Sequence, residues 1–331
     1  MANDYSDDQL RMVARLYYID GMGQSDVARF AKVSQAKVSR LLALARERGI
    51  VRITIADYNP RRPELERELE RRFGFGTVIV IKSNEGSDLA SLRRSVGHFG
   101  ASLVDEMIQP RDTVAVAGGR TLQELAQNLP EGGNKALTIV QAMGSVDSQI
   151  STVDSQEVGR LVAQRLGGKF LAMNTPAFIP TKRTRDALLA LPQVSSVHQE
   201  LDRANVALVG LGTLSNSVFV ERGTVAATMA RELERAGAIG EICGRFIDAE
   251  GRECDTGWRD RVISVELDQL RRMPQVVAVV SGADRTSAIC AAVKGGLVKS
   301  LLIDEIGAAA LLGTAPAEPE AKPRAARRAG R

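Results

Sequence analysis

From residue 77 onward the chain repeats one texture: a short apolar run, a turn that is often glycine-rich, then an amphipathic helix. The runs at 77–81, 113–116, 138–142, 170–173, 206–209, 276–280 and 301–303 lack the alternation of a strand with one wet face, so they read as strands buried on both sides. Helical spacing over 89–107, 122–129, 155–166, 225–236 and 286–293 separates most of them. Strands covered on both faces and joined by helices imply an α/β fold: a mostly parallel, Rossmann-like sheet in a three-layer sandwich.

Four of these strands run directly into glycines. Val116-Ala117 leads to Gly118-Gly119-Arg120-Thr121, Ala142-Met143 to Gly144-Ser145, Leu208-Val209 to Gly210-Leu211-Gly212-Thr213, and Val280-Ser281 to Gly282. Ligands of open parallel sheets bind beyond the carboxyl ends of the strands, where all four turns lie, so the loops are expected to converge on one pocket. The first turn is the most informative. Its glycines let the backbone approach an anion, the following helix offers unpaired amides, Thr121 adds a hydroxyl and Arg120 a forked, permanent cation, which together suit a phosphate. Arg285 is a candidate second cation, and Glu241 and Asp248 are candidate acceptors for the hydroxyls of a polyol. There is no Walker A lysine pattern and no full G-x-G-x-x-G, which argues against nucleoside triphosphates and dinucleotides.

The first sixth of the chain has a different character. Residues 23–42 read as two short helices joined by a tight turn, with Val27, Ala28 and Ala31 facing inward on the first and Val38, Leu41 and Leu42 on the second. This is a helix-turn-helix, and polar side chains near the N-terminus of its second helix are the ones that reach base edges in a major groove. The candidate contacts to double-stranded DNA are Gln24, Ser34, Gln35, Lys37, Ser39, Arg40 and Arg46, with Gln35, Lys37 and Ser39 best placed to read bases and Ser34 to cap the helix. Arg46, Arg48 and Arg52 face a single Glu47, a net basic segment suited to phosphates. Upstream, Ser6-Asp7-Asp8-Gln9 has capping-box form before Leu10, Val13, Ala14, Leu16 and Tyr17. Downstream, Gly49 ends the helix and residues 50–55 alternate like a strand, either a wing or the connection to the next domain.

Pro63 opens a densely charged helix whose stripe of Leu65, Leu69 and Phe73 can dock on its own domain or pair with another subunit, the second being the favoured expectation. The organisation expected is a DNA-binding domain at 1–57, a linker helix at 58–74, an effector-binding and oligomerisation domain at 75–314 and a disordered basic tail at 315–331, which carries Lys322, Arg324, Arg327, Arg328 and Arg331. Net charge is only +4 over 331 residues, so basicity is local. No apolar run is long enough for a membrane span and the polar start is unlike a signal peptide, so no membrane partner and a cytoplasmic location are expected. Three cysteines without C-x-x-C spacing fit a reducing compartment; with only two histidines, His98 and His198, neither a metal site, a cofactor nor a catalytic triad is expected.

The residues also resemble a known family. The head through Gly21-Met22-Gly23-Gln24, Lys37-Val38-Ser39-Arg40-Leu41-Leu42 and Arg46-Glu47-Arg48-Gly49-Ile50-Val51 is similar to the SorC family of bacterial sugar-responsive transcriptional regulators. The similarity continues in Val116 to Leu122, Asn174-Thr175-Pro176-Ala177, Val209-Gly210-Leu211-Gly212, Gly244-Arg245-Phe246-Ile247-Asp248 and Leu301-Leu302-Ile303-Asp304-Glu305. It implies a sugar isomerase-like effector domain, a phosphorylated sugar or polyol as effector of a carbohydrate operon, and a homo-oligomer, a tetramer, on operator DNA. Two positions depart from the family's habit: Arg285 stands where a lysine is frequent and Ile303 where a threonine is usual. The competing reading is a sugar-phosphate isomerase or aldolase carrying a DNA-binding head, with Lys182 or Lys294 forming a Schiff base and Glu241 or Asp248 moving protons. No base and nucleophile stand at compelling spacing, so the chain is read as a non-enzyme.

Overall fold

The computed structural model describes residues 5–56, 58–146 and 151–314; the basic tail lies outside the described residues. The chain separates into two compact units, Met1–Asn59 and Pro60–Arg331.

The first unit is helical. Ser6 accepts a hydrogen bond from the Gln9 amide at 3.3 Å and so caps the helix Asp7–Ala14, which passes into a π-helical turn over Arg15–Ile19. Gly23 opens the helix Gln24–Phe30, and Ser34 caps Gln35–Glu47 by accepting from the Lys37 amide at 3.2 Å. The turn between these two helices places Lys32 at φ +53°. Leu10, Val13, Ala14, Val27, Ala28, Val38, Leu41, Leu42 and Ala45 close one small core. The alternating segment after Gly49 does not form the expected strand: residues 52–56 have no regular structure, and Ile53 and Ile55 are exposed. A single extended run becomes a strand only against a second one, and the described residues of the head include no strand to pair with it.

The second unit is built on a seven-stranded sheet of β1 (Thr77–Ile81), β2 (Thr113–Val116), β3 (Leu137–Gln141), β4 (Gly168–Leu171), β5 (Val206–Val209), β8 (Gln275–Val279) and β9 (Ser300–Asp304), in the order β1-β9-β8-β5-β2-β3-β4. Every pairing in it is parallel. A separate antiparallel hairpin joins β6 (Gly240–Ile242) and β7 (Arg245–Ile247). After the chain crosses from β1, it advances β2, β3, β4 to one edge, returns to β5 beside β2, then advances β8 and β9 the other way. The direction reverses between β2 and β5, and such a reversal sends consecutive connections to opposite sides and leaves a crevice at the strand ends.

The helix Pro63–Phe73 belongs to this unit, which corrects the expectation that its apolar stripe pairs with another subunit. Leu69 is fully buried in the core of its own domain, with Leu65 and Phe73 packed beside it. Glu66 fixes the docking: its carboxylate accepts from the Val80 amide of β1 at 3.0 Å and from both prongs of Arg61 at 2.8 Å. Helix Leu89–Met107 crosses helix Arg120–Asn128 at very close range. A methyl built on Gly97 would sit 2.5 Å from the Glu124 carbonyl carbon, far inside contact distance, so only glycine permits this approach. Beside the main core, a satellite cluster gathers Met143, Phe219, Phe246 and Trp258, with the Trp258 indole donating to the Gly244 carbonyl at 2.7 Å.

Gly97→Ala forces the two helices apart and is expected to cost about 2 kcal/mol, the usual penalty for overpacking. Chemical denaturation of wild type and variant checks it; an unchanged midpoint contradicts the geometry.

Candidate functional site

Two surfaces carry the chemistry, one in each unit. In the head, Ser34, Gln35, Ser39, Arg40 and Arg46 are exposed on or beside the second helix of the pair, and Gln24 and Lys37 are half-buried. The Lys37 ammonium lies 5.1 Å from the centroid of the Tyr5 ring, a cation–π contact that holds it toward the N-terminal segment. Among the described residues the Arg40, Arg46 and Arg52 side chains enter no ion pair. Arg48 differs from the sequence expectation: it donates to the Tyr5 carbonyl and the Asp7 carboxylate, both at 3.1 Å, and so clasps the first helix.

In the second unit a cavity of about 170 Å³ opens at the ends of β2 and β5, where the strand order reverses. Gly118, Gly119, Arg120 and Thr121 after β2 line it, as do Gly210 and Gly212 after β5, Val279 and Val280 at the end of β8, and Arg285 just beyond. The first loop is held by its glycines. Gly119 sits at φ +133°, and a Cβ on Gly118 would lie 2.6 Å from the Val153 carbonyl oxygen, so neither position accepts a side chain. The Gly119 amide is spent on that same carbonyl at 2.8 Å. The amides left without an intrahelical acceptor are therefore those of the first helical turn, beginning at Arg120.

Glu241 reaches the cavity because the loop after β5 pairs with the hairpin: Gly212 and Glu241 exchange backbone hydrogen bonds at 2.9 and 2.8 Å. Its carboxyl is buried and accepts from the Gly244 amide. Burial pushes its pKa up, opposed by the hydrogen bonds from Gly244 and Ser217. Behind it Arg245 is almost wholly enclosed, donating to Glu253 at 2.8 Å and the Val265 carbonyl at 2.7 Å, which locks the hairpin in place.

Four expected residues lie elsewhere. Gly144 and Ser145 form a crossing of chains, with the Gly144 amide donating to Ile263, the Ser145 amide to Thr175 and the Ser145 hydroxyl to Asp154 at 3.0 Å. Thr213 is absorbed in its own turn, its amide donating to Asn216 at 2.7 Å. Asp248 folds back to accept from the Glu250 and Arg252 amides, both at 2.9 Å, and is not part of the cavity wall. Of the four, the Asp248 carboxylate is the one engaged by backbone donors of its own turn.

Sequence reading missed Arg93, Asn216, Glu221, Arg222 and Cys243, all of which line the cavity. Glu221 pairs with Arg120, one contact at 3.2 Å and a second that is shorter. Arg285 is anchored by the carbonyls of Leu211 and Ser281, at 3.1 and 3.0 Å, and by Asp284. The Cys243 thiol is pushed up by burial, so it is a packing group here and not a thiolate. The lysines considered for Schiff-base chemistry are not part of the cavity wall: Lys182 is 3.4 Å from Asp186, and Lys294 pairs with Glu250 at 2.6 Å. Among the described residues no cluster of three or more histidine, cysteine or acidic side chains could hold a metal ion, and no helix is long and apolar enough to cross a membrane.

The family model for a sugar-binding domain matches residues 60–313. The sorbitol operon regulator of Klebsiella pneumoniae is 28% identical over 92% of this chain and 98% of its own length. The deoxyribonucleoside regulator of Bacillus subtilis is 28% identical over 90% and 95%, and the erythritol catabolism regulatory protein EryD of Brucella abortus 29% over 93% and 98%. The crystal structure of full-length SorC from Klebsiella pneumoniae superposes with a TM-score of 0.74 at 26% identity, covering 94% of this chain and all of that one. A helix-turn-helix head, a parallel sheet with its pocket at the reversal point and matches along nearly the whole length place the chain in the SorC family of sugar-binding transcriptional regulators.

Proposed function

We propose that this chain is a sensor of a phosphorylated sugar or polyol that controls an operon for the catabolism of that compound, acting as a homotetramer on operator DNA in the cytoplasm. The observation that carries the reading is the cavity wall: a glycine loop opening a helix, with the guanidinium groups of Arg93, Arg120 and Arg285 beside it. A phosphate accepts from both helix amides and forked guanidinium donors, and a cavity of about 170 Å³ holds a small sugar or polyol. Glu241, whose carboxyl pKa is held above its ordinary range by burial, is an acidic partner for hydroxyls in the wall. Among the described residues that line the cavity there is neither lysine nor histidine, which supports binding without turnover over an isomerase or aldolase. Small-molecule binding controls DNA affinity only to the extent that the effector prefers one arrangement of the protein, so response and affinity are linked.

The direct test is gel retardation of the upstream fragment of the neighbouring operon with and without sugar phosphates; no sequence-specific shift in either condition refutes the reading. Arg40→Ala is expected to weaken operator binding and, if the contact is to a phosphate, to reduce the salt slope by about one, read from retardation across a salt series. Arg120→Ala is expected to abolish the effector response while leaving DNA retardation intact, so unchanged effector sensitivity removes Arg120 from the phosphate site.

A further inference from the structure

Arg120 and Arg285, the two cations the sequence nominates for the cavity, both have protein acceptors: Arg120 holds Glu221, and Arg285 holds Asp284 and two carbonyls. Arg93 is the opposite case. It projects from helix Leu89–Met107, is half-buried and lines the same cavity. Among the described residues its guanidinium makes no hydrogen bond and no ion pair. Withdrawal from water and the nearby guanidinium groups of Arg120 and Arg285 all disfavour its charge, against a partial offset from Asp284 and Glu221. Half-buried cations normally find a partner, and this one stands at a cavity.

We propose that Arg93 is the standing receptor for the effector's anionic group, and that Glu221 is an internal competitor which the effector must displace from Arg120. The inference rests on reading this cavity as the effector site. Charge balance gives it content. Of the three guanidinium groups clustered at the cavity, Arg120 and Arg285 already hold carboxylates, whereas Arg93 holds none among the described residues. A monoanion is balanced by Arg93 alone. A dianionic phosphate requires a second cation, and Arg120 is held by a side chain alone, Glu221 on the short helix Val218–Glu221, whereas Arg285 is also fixed by two backbone carbonyls. Glu221 is half-exposed, so it can turn to water when its place is taken.

The probe is inorganic phosphate at pH 8, where it is mainly dianionic, titrated into the full-length protein by calorimetry. Arg93→Gln is expected to weaken binding at least tenfold, with Arg93→Lys recovering part of the loss. Glu221→Gln is expected to tighten it three- to tenfold, since the internal anion is gone; thermal melts show that each variant is folded. Wild-type affinity in Arg93→Gln overturns the receptor role, and affinity in Glu221→Gln that is no better than wild type overturns the competition. No binding by wild type and Glu221→Gln alike overturns both. These titrations do not involve DNA, so loss of promoter retardation by the wild type sinks the regulator reading separately.

Discussion

The reversal of strand order between the parallel neighbours β2 and β5 is the constraint on which the cavity depends. Parallel strands deliver all their carboxyl ends to one side, and at the reversal the connecting chains lean away from each other. Into that gap the sequence places backbone rather than side chain: Gly118 against the Val153 carbonyl, Gly119 at a φ only glycine tolerates, and Gly210 and Gly212 opposite. What remains for recognition comes from helices and from the β6–β7 hairpin, which border the gap without filling it.

The walls have different mechanical origins. Arg93, Arg120 and Arg285 stand on elements packed on the large sheet, whose core runs from Leu69 to Leu311. Glu221 stands on a short helix anchored through Phe219 to Trp258 in the satellite cluster, their rings 5.2 Å apart edge to face. The Arg120–Glu221 pair is thus a polar tie between two separately packed apolar clusters of the same domain. A part-exposed ion pair of this kind contributes little to stability, so it is cheap to exchange for a different anion.

The sheet was largely legible from sequence because buried parallel strands announce themselves as unbroken apolar runs; helices Leu89–Met107 and Ser155–Leu166 coincide with the stretches read from spacing. The hairpin was not legible, since strands of three residues carry no period, and neither were helices Lys182–Leu189 and Pro192–Glu200. The glycine loop and Glu241 could be nominated in advance, yet Asp248 looked equally suitable until its turn closed on it. Arg93 was invisible for a simple reason: Arg94 follows it, and only the packing of their helix tells which of the two faces the cavity, Arg94 being exposed and donating to Ser91 at 2.8 Å.

The bare backbone contact between Gly97 and Glu124 has a consequence for how such a pocket diversifies. With no side chain between them, the helices bearing Arg93 and Arg120 act as the fixed jaw of a caliper whose opening is set by main-chain geometry. Substitutions on the opposite jaw, along the hairpin and the short Glu221 helix, can then retune which carbon skeleton is gripped without disturbing the grip on its charged end.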